Sequence, residues 1–258
     1  MLRKWVVVGW LLLTSASAGC DEKATVPKPS SESPTAKAVP ASSAPKAPDP
    51  LAGLTVDELG LYLQTHRIDM AAKDAEEKLR ALVAGLPVKQ KAVPVSAARN
   101  AKTQHVGALA RALGEAGAAE VDVKTPDRTG AEGTVRFTPQ QLVPPSTPDC
   151  ALVAMIKKDS TSAVWRLKGG TATKFSKGLA GPDLSMTFEG LTEQMSACAS
   201  THWFLTGEDN VIWGLVFDLG QVVAKADPPP KASNAVLLYE APVAGRPVSL
   251  VRAKAPLP

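Results

Sequence analysis

The sequence predicts an α/β (α+β-like) protein made of two small sheet-plus-helix units of strand-helix-strand type. Short alternating apolar runs, which are typical of strands, follow apolar stripes at helical spacing, and turn-forming residues separate them. This order recurs in both halves, which is compatible with a degenerate repeat of one unit. Whether the two units form one domain or two stays open.

The amino terminus predicts export. In residues 1–19, Arg3 and Lys4 precede an apolar run too short to span a bilayer and then a small-residue exit, as in a signal peptide. The exit suits ordinary signal peptidase, and it also resembles a bacterial lipobox in which Cys20 is acylated. We expect a lipoprotein, with an unlipidated exported protein as the alternative.

Residues 20–52 are rich in Pro, Ala, Ser and Lys and are predicted to form a disordered tether. No later stretch approaches the ~20 apolar residues that a membrane span needs, so the expected anchor is lipid. Asp21 is similar to an inner-membrane retention signal in enteric bacteria, but the choice between inner and outer membrane stays open.

Charge argues against nucleic acid as a partner. The formal net charge is +4, and loss of Arg3 and Lys4 with the signal peptide leaves +2. No Lys/Arg cluster with interleaved aromatic residues is present.

The first α/β unit is expected over residues 53–128. Its first predicted element is a helix that a capping box at Thr55–Glu58 opens, with Leu59, Tyr62 and Leu63 on one face. A second helix, with Leu79, Leu82, Val83 and Leu86, is followed by a strand at Val93–Val95, in which Pro94 suggests an edge or strand start. A helix from Thr103 to Gly117 and a strand at Glu120–Lys124 complete the unit.

Residues 129–149 are expected to connect the units, and residues 150–258 to form the second unit with a C-terminal tail. The second unit is predicted to begin with a hairpin of Cys150–Lys157 and Ala163–Leu167, followed by a loop at Lys168–Lys174. A helix with Leu184, Phe188, Leu191 and Met195 and a strand at Trp203–Thr206 come next. The last two predicted elements are a helix with Ile212, Leu215, Val216, Leu219 and Val223 and a strand at Ala235–Tyr239.

The stretch from Val93 to Thr125 resembles the periplasmic domain of the ExbD/TolR family, the small stators of proton-driven envelope motors. It has the strand, the helix, the Ala-Gly helix stop at Ala116–Gly117 and the second strand in that order, and the part from about Cys150 to Glu240 is similar. The resemblance implies binding to a motor or transport subunit or to peptidoglycan. Family stators carry a membrane helix with a proton-accepting Asp, and residues 5–13 contain no acid, so only the recognition half of a stator is implied.

The acidic stretch Gly207–Asn210 is the first candidate for chemistry. Asp209 or Asn210 is expected to cap a helix starting at Val211, and no second acid-rich loop is identified that would complete a paired-carboxylate active site. His66, His105 and His202 are isolated and are expected to be surface or strand-end residues, which predicts no metal site. No cofactor motif is found.

The cysteines left after acylation of Cys20 are Cys150 and Cys198, and a disulfide is expected between them because an exported compartment is oxidising. A pair of buried thiols is the alternative. Trp165, Trp203 and Trp213 are expected to be mostly core, with any exposed aromatic side chain serving a contact surface.

The prediction is therefore a non-enzymatic, lipid-anchored cell-envelope protein that faces the periplasm and binds an envelope protein or peptidoglycan. The alternative is an exported hydrolase or small-ligand-binding α/β protein. A homodimer stays open.

Overall fold

Eleven strands and four helices make up the computed structural model, which describes residues 50–169, 171–177, 184–198, 200–227, 230–248 and 250. The strands are β1 (Leu54–Val56), β2 (Gly60–Leu63), β3 (His66–Asp69), β4 (Ala92–Ala97), β5 (Glu120–Pro126), β6 (Glu132–Phe137), β7 (Cys150–Ile156), β8 (Ser162–Lys168), β9 (Thr171–Lys177), β10 (His202–Gly207) and β11 (Asn234–Leu237). The helices are α1 (Ala75–Ala84), α2 (Thr103–Glu115), α3 (Leu184–Ser196) and α4 (Trp213–Ala224). The predicted signal peptide, Cys20 and the tether up to residue 49 lie outside the described residues.

All described strands join one mixed sheet in the order β3-β2-β1-β4-β5-β6-β11-β10-β7-β8-β9. β1, β4 and β5 run parallel to one another, as do β7, β10 and β11, and β6 joins the two sets, antiparallel to β5 and parallel to β11. The α/β class is confirmed. The predicted unit boundaries stay predictions, but hydrogen bonding continues across β6 from one half to the other.

The two halves share their connectivity. Each half runs strand, strand, strand, helix, strand, helix, strand, and in each the spatial order of the five strands is third, second, first, fourth, fifth. This is a likeness of topology. Descent of the halves from one duplicated unit stays a prediction.

One main core lies between the sheet and the helices. Buried residues of all four helices contribute to it, among them Leu79, Leu109, Leu191 and Phe217. The alternating apolar pattern of the central strands supplies the sheet side, because every second side chain points to the same face.

Helix α4 contacts both halves of the chain within this core. Its Trp213 is fully buried, donates a 2.8 Å hydrogen bond from Nε1 to Oγ1 of Thr125 in β5, and packs its ring against Phe137 of β6. A helix of the second half thus rests on strands of the first half.

A smaller core lies on the opposite face of the second half. Phe204, Val236 and Met155 point into it, and Val143 and the chain after β11, through Ala241, cover it. This explains why β7, β10 and β11 read as almost continuous apolar runs, since both faces of these strands are buried.

The predicted first helix is wrong, because residues 54–69 form three antiparallel strands. Asp57 closes the turn between β1 and β2, where its Oδ1 accepts the amides of Leu59 at 2.8 Å and Gly60 at 3.0 Å. A Cβ at Gly60 would lie 2.0 Å from the carbonyl oxygen of Ile68, so only glycine fits against β3. The capping-box pattern at Thr55–Glu58 therefore encodes a turn.

Two further strand predictions need correction. Pro94 suggested an edge or a strand start, but β4 lies inside the sheet and begins two residues earlier, at Ala92. β1 pairs only with Ser96 and Ala97 of β4, so Pro94 has its one strand partner in β5. The stretch Lys168–Lys174 was predicted as a loop, but Lys168 ends β8 and Thr171–Lys174 belong to β9.

The other predicted elements are confirmed within a few residues at their ends. Among the described residues, no helix combines the length and the apolar character needed to cross a membrane.

Candidate functional site

An open groove of about 1110 Å³ lies among the described residues. It lies where β7, β10 and β11 end, and because these strands are parallel, their carboxyl ends meet at one edge of the sheet. That edge is the usual place for a ligand in an open α/β sheet. The opposite wall comes from the first half, at Glu58, Leu59 and the segment Asp69–Glu76, and the first turn of α2 contributes His105.

Two loops meet at the base of this groove. The segment after β4 pairs with the segment after β10: Thr103 N donates to Val211 O at 3.0 Å, and Trp213 N donates to Ala101 O at 2.7 Å. These reciprocal bonds bring the first residues of α2 and α4 together, and an isolated bridge joins Lys102 and Ile212 between them. The amino terminus of α4 is thereby capped by backbone carbonyls.

The acidic stretch Gly207–Asn210 does not cap α4, and that prediction is wrong. The carboxylate of Glu208 accepts the amide of Lys158 at 2.9 Å, and Asp209 accepts the side-chain amide of Gln104 at 2.7 Å. Asn210 adopts φ +66°, which suits the turn. Helix α4 begins two residues later than predicted, because main-chain carbonyls occupy its first amides.

The sequence also suggested that no second acidic loop accompanies this stretch. In the structure, Glu58 and Asp69 of the first half line the same groove as Glu208 and Asp209. Local sequence could not show this, because the two sets are about 140 residues apart and meet only through strand pairing.

Glu76 and Tyr239 belong to a network of hydrogen bonds and ion pairs on the groove wall. Tyr239 donates its hydroxyl to Oε1 of Glu76 at 3.0 Å, while Arg111 and Arg80 pair with the other oxygen at 2.8 Å and 3.2 Å. The guanidinium of Arg111 also lies 4.2 Å from the centre of the Tyr239 ring. Each of these groups has a partner of opposite charge or complementary hydrogen bonding.

The surroundings move the pKa values of Glu76 and Tyr239 further from pH 7. Burial raises the pKa of Glu76, but the hydrogen bond from Tyr239 and the charges of Arg111 and Arg80 outweigh it, so the pKa of Glu76 is lowered. Burial, followed by the hydrogen bond to Glu76, raises the pKa of Tyr239. Near pH 7 the carboxylate stays charged and the phenol stays protonated.

His105 was expected to be a surface or strand-end residue, and instead it sits in the first turn of α2 with 9% of its surface exposed. Its Nδ1 is buried and has no hydrogen-bond partner among the described residues. Burial lowers the pKa of His105, although the Asp57 carbonyl and the charges of Asp57 and Asp69 oppose this, so the ring is neutral at pH 7. His66 is exposed on β3, and His202 is half-buried at the start of β10.

The corresponding edge of the first half, where β4 and β5 end, is filled by an ion triad. Arg99, in the loop after β4, donates hydrogen bonds to both carboxylate oxygens of Asp218 on α4, at 2.8 Å each. Arg128, in the loop after β5, donates to the same carboxylate at 2.7 Å. Burial raises the pKa of Asp218, but the hydrogen bonds and charges of the two arginines outweigh it and lower that pKa. Of the two related edges, the one in the second half is open.

The predicted disulfide is confirmed. Cys150 opens β7, Cys198 follows α3, their Cα atoms are 5.5 Å apart, and their sulfur atoms are bonded. The pair lies outside the groove lining and joins the first strand of the second half to its first helix.

The tryptophan side chains of the described residues do not form a contact surface. Trp203, Trp213 and Trp165 are all buried. The groove instead exposes two aliphatic side chains, Leu59 at 56% and Val243 at 53%. Sequence reasoning missed both, and the only local signal was their position beside turns.

Among the described residues, no group of three or more His, Cys, Asp or Glu side chains is arranged to hold a metal ion. In comparisons with known proteins, no family model, curated protein or solved structure matched this chain.

Proposed function

We propose that this chain is a non-enzymatic, lipid-anchored protein of the bacterial cell envelope, facing the periplasm, that binds another envelope component through the groove. The observation that carries the proposal is the asymmetry of the two halves. The Arg99–Asp218–Arg128 triad fills the edge where β4 and β5 end, and the related edge where β7, β10 and β11 end is open.

Size favours a macromolecular ligand. The groove, at about 1110 Å³, is slightly larger than the ~300–1,000 Å³ typical of small-molecule pockets. It is also open along its length and flanked by the exposed Leu59 and Val243, which suits a segment of another molecule lying across it.

The chemistry of the groove favours binding over catalysis. A general acid or base works best with a pKa near the operating pH. The pKa of Glu76 is lowered and that of Tyr239 is raised, so each of these two groups holds one protonation state near pH 7.

The envelope location rests on the export signal, on Cys20 and on the disulfide. A disulfide persists in an oxidising compartment such as the periplasm, and Cys150 and Cys198 form one here. The ExbD/TolR resemblance adds the choice of partner: a motor or transport subunit, or peptidoglycan.

The test is site-specific cross-linking in intact envelopes. A photo-reactive amino acid at position 59 or 243 should give adducts with a discrete envelope protein or with wall fragments, and the same probe at Leu142, which is 55% exposed and outside the groove, should not. Equal labelling from all three positions would show that the groove is not the binding surface.

The alternative, an exported hydrolase or small-ligand-binding protein, is favoured by one observation: acids from both halves and a buried histidine line the same groove. Glu76→Gln and His105→Gln separate the two functions. Turnover of ester, peptide or glycoside substrates by the wild type, lost in these variants at unchanged thermal stability, would establish the hydrolase.

A further inference from the structure

We infer that the groove takes an extended peptide segment bearing Lys or Arg side chains beside aliphatic ones, supplied by a partner protein. This inference rests on the proposed function and narrows its partner to a basic segment of a protein.

The first argument is charge. Glu76 is already paired with Arg80 and Arg111, which leaves five other carboxylates in the lining: Glu58, Asp69, Glu208, Asp209 and Glu240. The lining lysines are Lys73, Lys102 and Lys158. Five carboxylates against three ammonium groups leave two negative charges, although the whole chain carries +4. The groove is thus opposite in sign to the rest of the protein, which favours a cationic ligand.

The second argument is that these carboxylates are available. None of the five forms an ion pair within the described residues, and Glu58 and Glu240 are exposed. Among the described residues, the Glu58 side chain accepts only the side-chain amide of Asn100, at 3.2 Å, which leaves acceptor capacity for a charged donor.

His105 gives an independent indication of a ligand. The side chain lines the groove, is nine-tenths buried, and has an unpartnered Nδ1. An unpaired buried polar atom is unfavourable, so a bound ligand that brought a hydrogen-bonding group to this Nδ1 would be stabilised. A neutral imidazole also adds no positive charge that would repel a lysine side chain.

The apolar component comes from Leu59 and Val243. They belong to different halves, both line the groove, and they are two of the five large hydrophobic side chains exposed among the described residues. Aliphatic side chains of a bound segment would cover them, while its basic side chains meet the acids between them.

The experiment measures binding of two labelled peptides to the full-length lipidated protein in detergent. The basic probe is Lys-Val-Lys-Leu-Lys-Val-Lys and the matched probe replaces each Lys by Glu, with both termini blocked. By fluorescence anisotropy, we expect the basic probe to bind, the acidic probe not to bind, and binding to weaken with added salt.

Two groove variants are compared with two controls of the same chemistry. Glu58→Lys combined with Glu240→Lys should lower affinity for the basic probe at least tenfold, whereas Glu77→Lys, exposed on α1 outside the lining, should not. Leu59→Ser should also weaken binding, whereas Leu142→Ser should not. All five positions are exposed, and thermal unfolding confirms that each variant is folded.

The outcomes separate this inference from the proposed function. Binding of the basic probe that is unaffected by the Glu58/Glu240 reversal would overturn the inference. Absence of peptide binding, or binding of soluble wall fragments in its place, would overturn it too, while groove cross-links to an envelope component would leave the proposed function standing. Absence of both peptide binding and groove cross-links would remove both proposals.

Discussion

The ion triad around Asp218 should make a measurable and unequal contribution to stability. The Asp218 side chain is 9% exposed, that of Arg99 is 28% exposed and that of Arg128 is 57% exposed. Removal of the carboxylate by Asp218→Asn leaves Arg99 partly buried without its counter-charge, whereas Arg128 can turn into solvent.

Breaking a buried pair by removing one partner typically costs about 3–5 kcal/mol, and an exposed pair is worth about 0–1 kcal/mol. Since about a quarter of Arg99 is already hydrated, we expect Asp218→Asn to lower the free energy of unfolding by roughly 2–3 kcal/mol. Arg128→Ala should cost under about 1 kcal/mol.

Urea unfolding of the single and double variants measures both effects, and a double-mutant cycle should give a larger coupling for Arg99–Asp218 than for Arg128–Asp218. The pH dependence has a defined sign. The pKa of Asp218 is lowered in the folded state, so its contribution is present above the unfolded value of about 3.9 and is lost as the pH falls through the folded value. Equal couplings, or a difference between wild type and Asp218→Asn that persists unchanged to pH 3, would refute this reasoning.

Three further predictions concern the disulfide, the turn before α4 and the anchor. The bridge spans a sequence separation of 48, for which the chain-entropy model gives about 4 kcal/mol, so Cys198→Ser should lose roughly 2–4 kcal/mol in urea unfolding; an unchanged midpoint would contradict this. Because Asn210 has φ +66°, Asn210→Ala should cost about 1 kcal/mol and Asn210→Gly almost nothing, and equal thermal stability of the two would argue against the turn. Cys20→Ala should move the protein from the membrane fraction to the soluble envelope fraction, and its retention in the membrane would indicate an uncleaved signal anchor.

Long periodic segments were predictable from the sequence, and the reason is local. In α2, Val106, Leu109 and Leu113 recur at helical spacing, and all three are buried because a helix presents that spacing to the sheet. The alternation in Glu120–Lys124 likewise shows a strand with one buried face. The disulfide followed from the export signal, which predicts an oxidising compartment for Cys150 and Cys198.

Short segments were not predictable, because the same residues suit two structures. Thr55–Glu58 satisfies the pattern of a helix cap and also that of a strand followed by a turn closed by Asp57. The choice is made by pairing of Thr55 with Ser96 in β4 and with Tyr62 in β2, and such pairing depends on residues remote in the chain.

The sequence by itself thus determined the long periodic elements and the chemical character of each acidic or apolar stretch. Only the tertiary structure decided that Leu59, His105, Glu208 and Tyr239 line one groove. Periodicity shows which face of a segment is buried, because burial depends on the segment's own side chains. It does not show which strand lies beside which, because that depends on free energies of pairing summed over the whole sheet, here through β6, and those pairings set the groove.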